Sequence, residues 1–232
     1  MSGGGTAHGA IGHALIFAAG RGERMRPLTD TTPKPLLRVG GKRLIEYHLE
    51  RLAAAGVSDV AINTSYLAEQ FPDALGDGSR WGLRIHYSYE GAEPLETGGG
   101  MLRALPMLGD APFIAVNGDI FCDFDFATLP REPDGLAHLV VVDNPAQHPR
   151  GDFVLRDGLL QDEESPRLTF AGIGVYRAAL LTGQNAGRFG LTPLLRAAMR
   201  RGRIRGTHYR GRWADIGTPG RLDELEAWIC LP

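Results

Sequence analysis

The sequence has no long apolar run, only two cysteines and no excess of basic charge. Because a membrane-spanning helix needs about 20 consecutive apolar residues, no transmembrane segment is predicted. The net charge of -2 argues against a dedicated nucleic-acid-binding protein, which is usually clearly basic. Cys122 and Cys230 lie far apart and form no metal-ligand pattern, which indicates reduced thiols in a cytoplasmic protein. We therefore expect neither nucleic acid nor membrane as a partner.

The amino-terminal residues are not predicted to form a secretory signal peptide. Its first residues, MSGGGTAHGAIG, have neither the charged region nor the apolar region of a secretory signal peptide. We interpret residues 1–12 as a disordered glycine-rich tail. With 43% hydrophobic residues in the chain, residues 13–232 are enough for a single domain with its own core.

Apolar segments of strand length alternate with helical patterns through the first half of the chain. This alternation predicts an α/β fold with a parallel sheet covered by helices on both faces. Beyond residue 120 the pattern favours antiparallel or mixed strands. Strands are predicted at 13–18, 57–63, 83–87, 112–116, 136–143, 152–155, 168–176 and 204–209, and helices at 44–55, 67–75, 99–108, 191–201 and 219–229.

A glycine-rich, basic loop, FAAGRGERMRPLTDTTPKPL, includes the end of the first predicted strand and covers residues 17–36. Ligands bind at the carboxyl ends of the strands in open α/β sheets, so the loop is a predicted polyanion site. Small residues let backbone N–H groups approach phosphate oxygens, and basic side chains supply charge. The residues concerned are Ala19, Gly20, Gly22, Arg24, Arg26 and Lys34. The alternative is a surface loop with solvated charges.

Two common phosphate-binding loops do not match this stretch. The sequence has no G-x-x-x-x-G-K-[ST] pattern, which excludes a Walker A loop. The third glycine of a dinucleotide-binding fingerprint is also missing. In addition, Pro27, Pro33 and Pro35 prevent the long helix that such a fingerprint opens.

The stretch AAGRGERMRPLTDTTPKPLL resembles the signature of sugar-1-phosphate nucleotidyltransferases, G-x-G-x-R-x-x-P-x-T followed by P-K-P-L. The resemblance implies a Rossmann-like three-layer sandwich with a mostly parallel central sheet. It also implies that a nucleoside triphosphate reacts with a sugar 1-phosphate and releases pyrophosphate. Gly22, Glu23 and Arg24 would then lie against the triphosphate and Lys34 at the reacting centre, with Arg24 and Lys34 catalytic. Residues of about 13–120 would form a nucleotide-binding half, and those of about 121–232 a sugar-binding half.

Two aspartates occupy positions that resemble those of metal ligands in the family. Asp119 lies in N-G-D after the fourth predicted strand, and Asp215 lies in W-A-D-I-G late in the chain. Carboxylate oxygens suit Mg²⁺, which keeps its other positions for water and phosphate. The alternative for either aspartate is a turn or a helix cap.

The segment EPLETGGG, residues 93–100, resembles the loop that contacts the base in relatives. The resemblance assigns Glu93, Thr97 and Gly98 to nucleotide binding, and the alternative is a plain turn. Many uridylyl and thymidylyl enzymes place a glutamine just before this loop, whereas Pro94 stands here. A Glu93 carboxylate can accept from uracil N3–H or from guanine N1–H and N2–H, so the base stays open.

The predicted sugar end departs from the general family pattern. Many members carry a Glu-Glu-Lys stretch, but residues 162–167, DEESPR, contain no lysine. VDNP, GDF and FAGI instead resemble the short uridylyltransferases that use N-acetylmuramic acid 1-phosphate in peptidoglycan recycling. That likeness implies UTP as the second substrate and sugar contacts from Asn117, Asp152, Gly172 and Asp215. Asp152 has a turn between strands as its alternative role.

Two other functions compete with this one. A mannose-1-phosphate guanylyltransferase, or another short member of the family, would share the chemistry. A non-catalytic subunit that binds nucleotide sugars would often lack Arg24, Lys34, Asp119 or Asp215, and this sequence keeps all four. The sequence contains no hexapeptide repeat, so an appended acetyltransferase domain is not predicted. We expect a monomer or weak dimer.

Overall fold

The computed structural model describes residues 11–164 and 166–230. Most of the predicted tail, residues 1–10, therefore lies outside the described residues. The strands are β1 (His13–Phe17), β2 (Arg38–Val39), β3 (Lys42–Arg43), β4 (Asp59–Thr64), β5 (Arg84–Tyr89), β6 (Phe113–Asn117), β7 (Ile120–Cys122), β8 (Ala137–Val142), β9 (Val154–Arg156), β10 (Leu159–Gln161), β11 (Thr169–Tyr176), β12 (Ile204–Tyr209) and β13 (Trp213–Asp215). The α-helices are α1 (Leu44–Ala54), α2 (Gln70–Leu75), α3 (Glu96–Leu108), α4 (Thr192–Met199) and α5 (Pro219–Cys230).

A nine-stranded mixed sheet forms the centre, in the order β5-β4-β1-β6-β11-β8-β12-β10-β9. The strands β5, β4, β1 and β6 pair in parallel. Beyond β6, β11 is antiparallel to both its neighbours, whereas β12 is parallel to β8. The predicted fold class, with parallel strands at the centre and mixed pairing in the second half, is confirmed.

Helices cover both faces of this sheet because its strands are apolar on both sides. Leu15 and Ile16 are consecutive in β1, point to opposite faces and belong to two separate hydrophobic cores. The helix α1 covers one face, and α3 and α4 cover the other. Their contributions are Ile45, Leu49 and Leu52 from α1, and Met101, Ala104, Leu108, Leu195 and Ala198 from α3 and α4.

A third, smaller core lies under the last helix. Leu225 of α5 packs in it with Met25 from the glycine-rich loop and with Ile216, and all three are buried. The carboxylate of Glu226 also accepts from the Gly40 N–H, in the turn between β2 and β3, at 2.5 Å. The helix α5 thus supports the loop that follows β1.

The predicted strands and helices are all present, with ends displaced by a few residues. The predicted helix at 67–75 is shorter, Gln70–Leu75, and the one at 99–108 begins earlier, at Glu96. The strands β2, β3, β7, β10 and β13 were not predicted, because they have only two or three residues each. No helix in the described ranges has the length and apolar character needed to cross a membrane.

Candidate active site

A cleft of about 900 Å³ opens where β1, β4, β5 and β6 end. The strands β4 and β6 flank β1 on opposite sides, and ligands bind at such switch points in open α/β sheets. The predicted site residues that line the cleft are Ala19, Gly20, Gly22, Glu23, Arg24, Lys34, Glu93, Thr97, Asn117 and Asp119. Those that lie outside its lining are Gly98, Asp152, Gly172 and Asp215.

The loop after β1 folds back so that Lys34 lies beside Gly22. Gly22 has φ +63°, in the left-handed region that favours glycine, and its carbonyl accepts from Thr29 Oγ1 at 2.8 Å. A Cβ here would lie 2.9 Å from Thr29 Cγ2 and 3.3 Å from Lys34 Cβ. Glycine is therefore required by both conformation and packing. The prolines limit the loop to short 3₁₀ turns.

Lys34 forms an ion pair with Asp119, 85 positions later in the chain. The distance from Nζ to Oδ2 is 2.9 Å, and the exposed fractions of the two side chains are 8% and 43%. The ammonium group is thus held from the protein side, while the carboxylate is open to the cleft. Residues predicted for phosphate and for metal meet at one point.

A two-stranded sheet brings Asp215 next to this pair. In the pairing of β13 with β7, Asp215 lies opposite Ile120, and the Ile216 N–H donates to the Asp119 carbonyl at 3.0 Å. The Asp215 carboxylate accepts from Arg221 Nη1 at 2.8 Å. Across residues 11–164 and 166–230 no three His, Cys, Asp or Glu side chains cluster as a metal centre, so a cation site would depend on these two aspartates.

Arg24 reaches across the cleft to the same segment. A Cβ at Gly217 would lie 2.8 Å from Arg221 Nη1 and 3.5 Å from both Nη atoms of Arg24. Arg24 and Lys34 therefore line one end of the cleft, and Arg221 lies beside it. Cationic side chains grouped in this way can contact the oxygens of a polyanionic ligand.

The segment that resembles a base-contacting loop forms the other wall of the cleft. Glu93 is exposed and accepts from Arg21 Nη2 at 2.8 Å, which joins this wall to the loop after β1. Glu96 has φ +62° and pairs with Arg188 at 2.9 Å. Thr97 Oγ1 accepts from the Leu191 N–H at 3.0 Å. Arg21 and Arg188 were not among the predicted site residues: Arg21 occupies a variable position of the loop signature, and Arg188 lies in no motif.

The three glycines after Thr97 serve close packing. A Cβ at Gly98 would overlap the Phe189 ring, and one at Gly99 would overlap the Gly187 carbonyl. Both N–H groups donate to the Phe189 carbonyl, at 2.9 and 3.0 Å. None of the three glycines lines the cleft, so the assignment of Gly98 to nucleotide binding stays a prediction.

The predicted sugar residues divide between cleft and surroundings. Asn117, at the end of β6, lines the cleft. Gly172 lies at a β-bulge of β11 with φ +75°, where a Cβ would lie 2.7 Å from Asn117 Nδ2. Asp152 accepts from the Phe170 N–H at 2.8 Å and contacts His148 Nε2 at 3.0 Å. Its two oxygens thus both have partners within the protein, and its sugar contact stays a prediction.

Two buried polar residues at the base of the cleft were not predicted from the sequence as part of the site. Asn63 is the last residue but one of β4, and Glu90 follows β5 directly; both line the cleft and are almost fully buried. Burial raises the pKa of the Glu90 carboxyl, against the opposing effect of its hydrogen bonds from Leu95 and Asn63. Their positions at strand ends on the edge predicted to bind ligands were the available signal.

The sequence profile described as Nucleotidyl transferase matches residues 13–153. The chain belongs to this family. It is 49% identical over 223 residues to an N-acetylmuramate alpha-1-phosphate uridylyltransferase of Neisseria meningitidis serogroup B, covering 92% of this chain and 96% of that protein. A protein of the same name from Caulobacter vibrioides is 32% identical over 222 residues, covering 89% and 92%. The predicted membership in this family is confirmed.

The fold agrees with that of solved structures. The inositol-1-phosphate CTP transferase of T. maritima superposes with a TM-score of 0.77 at 18% identity, covering 95% of this chain and 97% of that one. At that identity the likeness shows a shared fold only. The fold of this nucleotidyl transferase therefore has independent support from structure and sequence.

Proposed function

We propose that this protein transfers the uridylyl group of UTP to N-acetyl-α-D-muramic acid 1-phosphate. The products would be UDP-N-acetylmuramic acid and pyrophosphate, and the reaction would belong to peptidoglycan recycling in the cytoplasm. The observation that carries the chemistry is that Arg24, Lys34 and Asp119 line one end of the cleft, and that the pairing of β13 with β7 brings Asp215 to this end. The choice of substrates rests on the names of the two similar relatives.

The reaction needs positioning and charge neutralisation more than proton transfer. An ionised phosphate oxygen of the sugar attacks the α-phosphorus, and the bond from that phosphorus to the oxygen that bridges it to the β-phosphate breaks. Because the nucleophile is already deprotonated, no general base is required. Arg24 and Lys34 stabilise the charge on the phosphorus centre and on the departing pyrophosphate.

Asp119 and Asp215 fit the requirements of a Mg²⁺ site. Each carboxylate gives one oxygen to a cationic side chain, Lys34 or Arg221, and has a second oxygen for a metal ion. Mg²⁺ is commonly held by one or two carboxylates together with substrate phosphates. When bound, the ion would neutralise phosphate charge at the reacting end of the cleft.

A panel assay of pyrophosphate release tests the proposal. Four nucleoside triphosphates are each combined with the 1-phosphates of N-acetylmuramic acid, N-acetylglucosamine, glucose and mannose. We expect UTP with N-acetylmuramic acid 1-phosphate to give the highest kcat/KM. The pair of GTP and mannose 1-phosphate as best substrates would indicate a guanylyltransferase, and release from no pair would indicate a nucleotide-sugar-binding subunit.

A further inference from the structure

A chain of hydrogen bonds runs beneath the cleft and joins its two walls. The Ala18 N–H, at the start of the loop after β1, donates to Asn63 Oδ1 at 2.6 Å. Asn63 Nδ2 donates to Glu90 Oε1 at 2.6 Å, and Glu90 Oε2 accepts from the Leu95 N–H at 2.6 Å. Leu95 directly precedes α3, so the chain ends at the second wall.

The two side chains in this chain of hydrogen bonds, Asn63 and Glu90, are buried and closely packed. The exposed fractions of Asn63 and Glu90 are 2% and 7%. A Cβ at Gly100 would overlap Glu90 Oε1 and lie 2.6 Å from Asn63 Nδ2. Glycine is therefore required at position 100, because a larger residue would overlap the Glu90 and Asn63 side chains.

We propose that Asn63 and Glu90 are positioning residues that fix the triphosphate wall of the cleft relative to its base wall. The proposal rests on the proposed function, because it takes residues 18–24 as the triphosphate site and residues 93–97 as the base site. These hydrogen bonds connect backbone groups of both walls, Ala18 N–H on one and Leu95 N–H on the other. They set how a nucleotide must span the two sites and hence how tightly UTP binds.

The donors and acceptors of the chain follow a fixed order. Backbone N–H groups stand at both ends, so the two side chains between them must offer three acceptors and one donor. Asparagine and glutamate meet this requirement in the order found. In Glu90→Gln, one amide donor faces another donor whichever way the amides are turned. In Asn63→Asp, two carboxylates face each other.

The double variant Asn63→Asp/Glu90→Gln restores the order of donors and acceptors, with the carboxylate at position 63 and the amide at position 90. The new aspartate accepts from Ala18 N–H and from the glutamine amide, and the glutamine oxygen accepts from Leu95 N–H. A residue that acts only through bulk or charge would not be rescued by this exchange. Reciprocal rescue therefore separates the proposal from a general loss of packing.

The experiment compares wild type, both single variants and the double variant. UTP affinity is measured by titration calorimetry, and KM and kcat by pyrophosphate release with the best sugar 1-phosphate. We expect the Kd for UTP to rise about tenfold or more in each single variant, because a buried polar group loses its hydrogen-bond partner. The KM for the sugar phosphate should stay nearly unchanged. The double variant should return to within about threefold of wild type. If neither single variant folds, a double variant that folds and binds UTP would still support the proposal, and one that does not would overturn it.

Ser88→Ala is the matched control. Ser88 is buried in β5, two residues before Glu90, and its Oγ has no hydrogen-bond partner among the described residues. This variant should bind UTP as wild type does. Wild-type UTP affinity in the single variants, or a double variant as impaired as the worse single one, would overturn the proposal. If wild-type protein binds UTP but transfers no uridylyl group, only the proposed function is contradicted. Calorimetry then still tests whether Asn63 and Glu90 determine the affinity for UTP.

Discussion

The two lysines of the chain, Lys34 and Lys42, occupy opposite environments. Lys34 is almost fully buried at the cleft and pairs with Asp119, whereas Lys42 is exposed and pairs with Glu50. Substituting Lys34 leaves a carboxylate that water can reach, because the Asp119 side chain is 43% exposed. The cost should therefore appear in catalysis more than in folding.

We predict that Lys34→Ala and Arg24→Ala each lower kcat about 100-fold or more, corresponding to ~3 kcal/mol of lost transition-state stabilisation. Lys42→Ala should keep wild-type activity and serves as the control. Rates are measured by pyrophosphate release and thermal midpoints by calorimetry, and the midpoints should stay close to wild type. A large fall in midpoint with normal activity of the folded fraction would instead favour a structural role for the loop.

At the scale of elements, the short pair β7 and β13 decides whether the two aspartates act together. Their pairing is made by backbone groups, so it does not depend on the carboxylates. We predict that Asp119→Asn and Asp215→Asn each reduce turnover about 100-fold or more at saturating Mg²⁺, with unchanged circular dichroism. Asp110→Asn, in an exposed loop, is the control. Full activity of either site variant, or of wild type in excess chelator, would refute the metal site.

The elements differ in how far their sequences predicted them. Longer segments such as β1 and α1 carry an apolar pattern, and the loop after β1 carries a motif, so these parts of the fold and site were predictable. The strands β7 and β13 have three residues each and no usable periodicity. Asn63 and Glu90 are single polar residues whose role exists only through partners distant in the chain. The sequence therefore predicted which residues meet at one end of the cleft and not what joins its walls.

At the scale of the whole molecule, two buried groups with lowered pKa values, His48 and Asp59, contribute to stability in acid. His48 of α1 is fully buried, and its Nε2 lies 2.9 Å from the Ile120 carbonyl. Burial lowers the pKa of this imidazole to about 4. Asp59, the first residue of β4, accepts from Arg84 through both oxygens, at 2.8 and 2.6 Å, which holds the pKa of its carboxyl well below the usual range.

These two pKa shifts predict that the free energy of unfolding falls in two separate pH ranges as the solution is acidified. The His48 pKa is lower in the folded state, so its contribution is complete above about pH 6.5 and is lost as pH falls toward 4, up to about 3 kcal/mol. The Asp59 contribution is complete above about pH 4 and is lost only below it. We therefore predict that His48→Gln, whose amide can still donate to Ile120, flattens the unfolding free energy between pH 4 and 6.5. Asp59→Asn should flatten it only below pH 4. Urea unfolding of both variants across pH 3 to 8, in chelator, measures this, and a wild-type slope between pH 4 and 6.5 in His48→Gln would contradict the assignment.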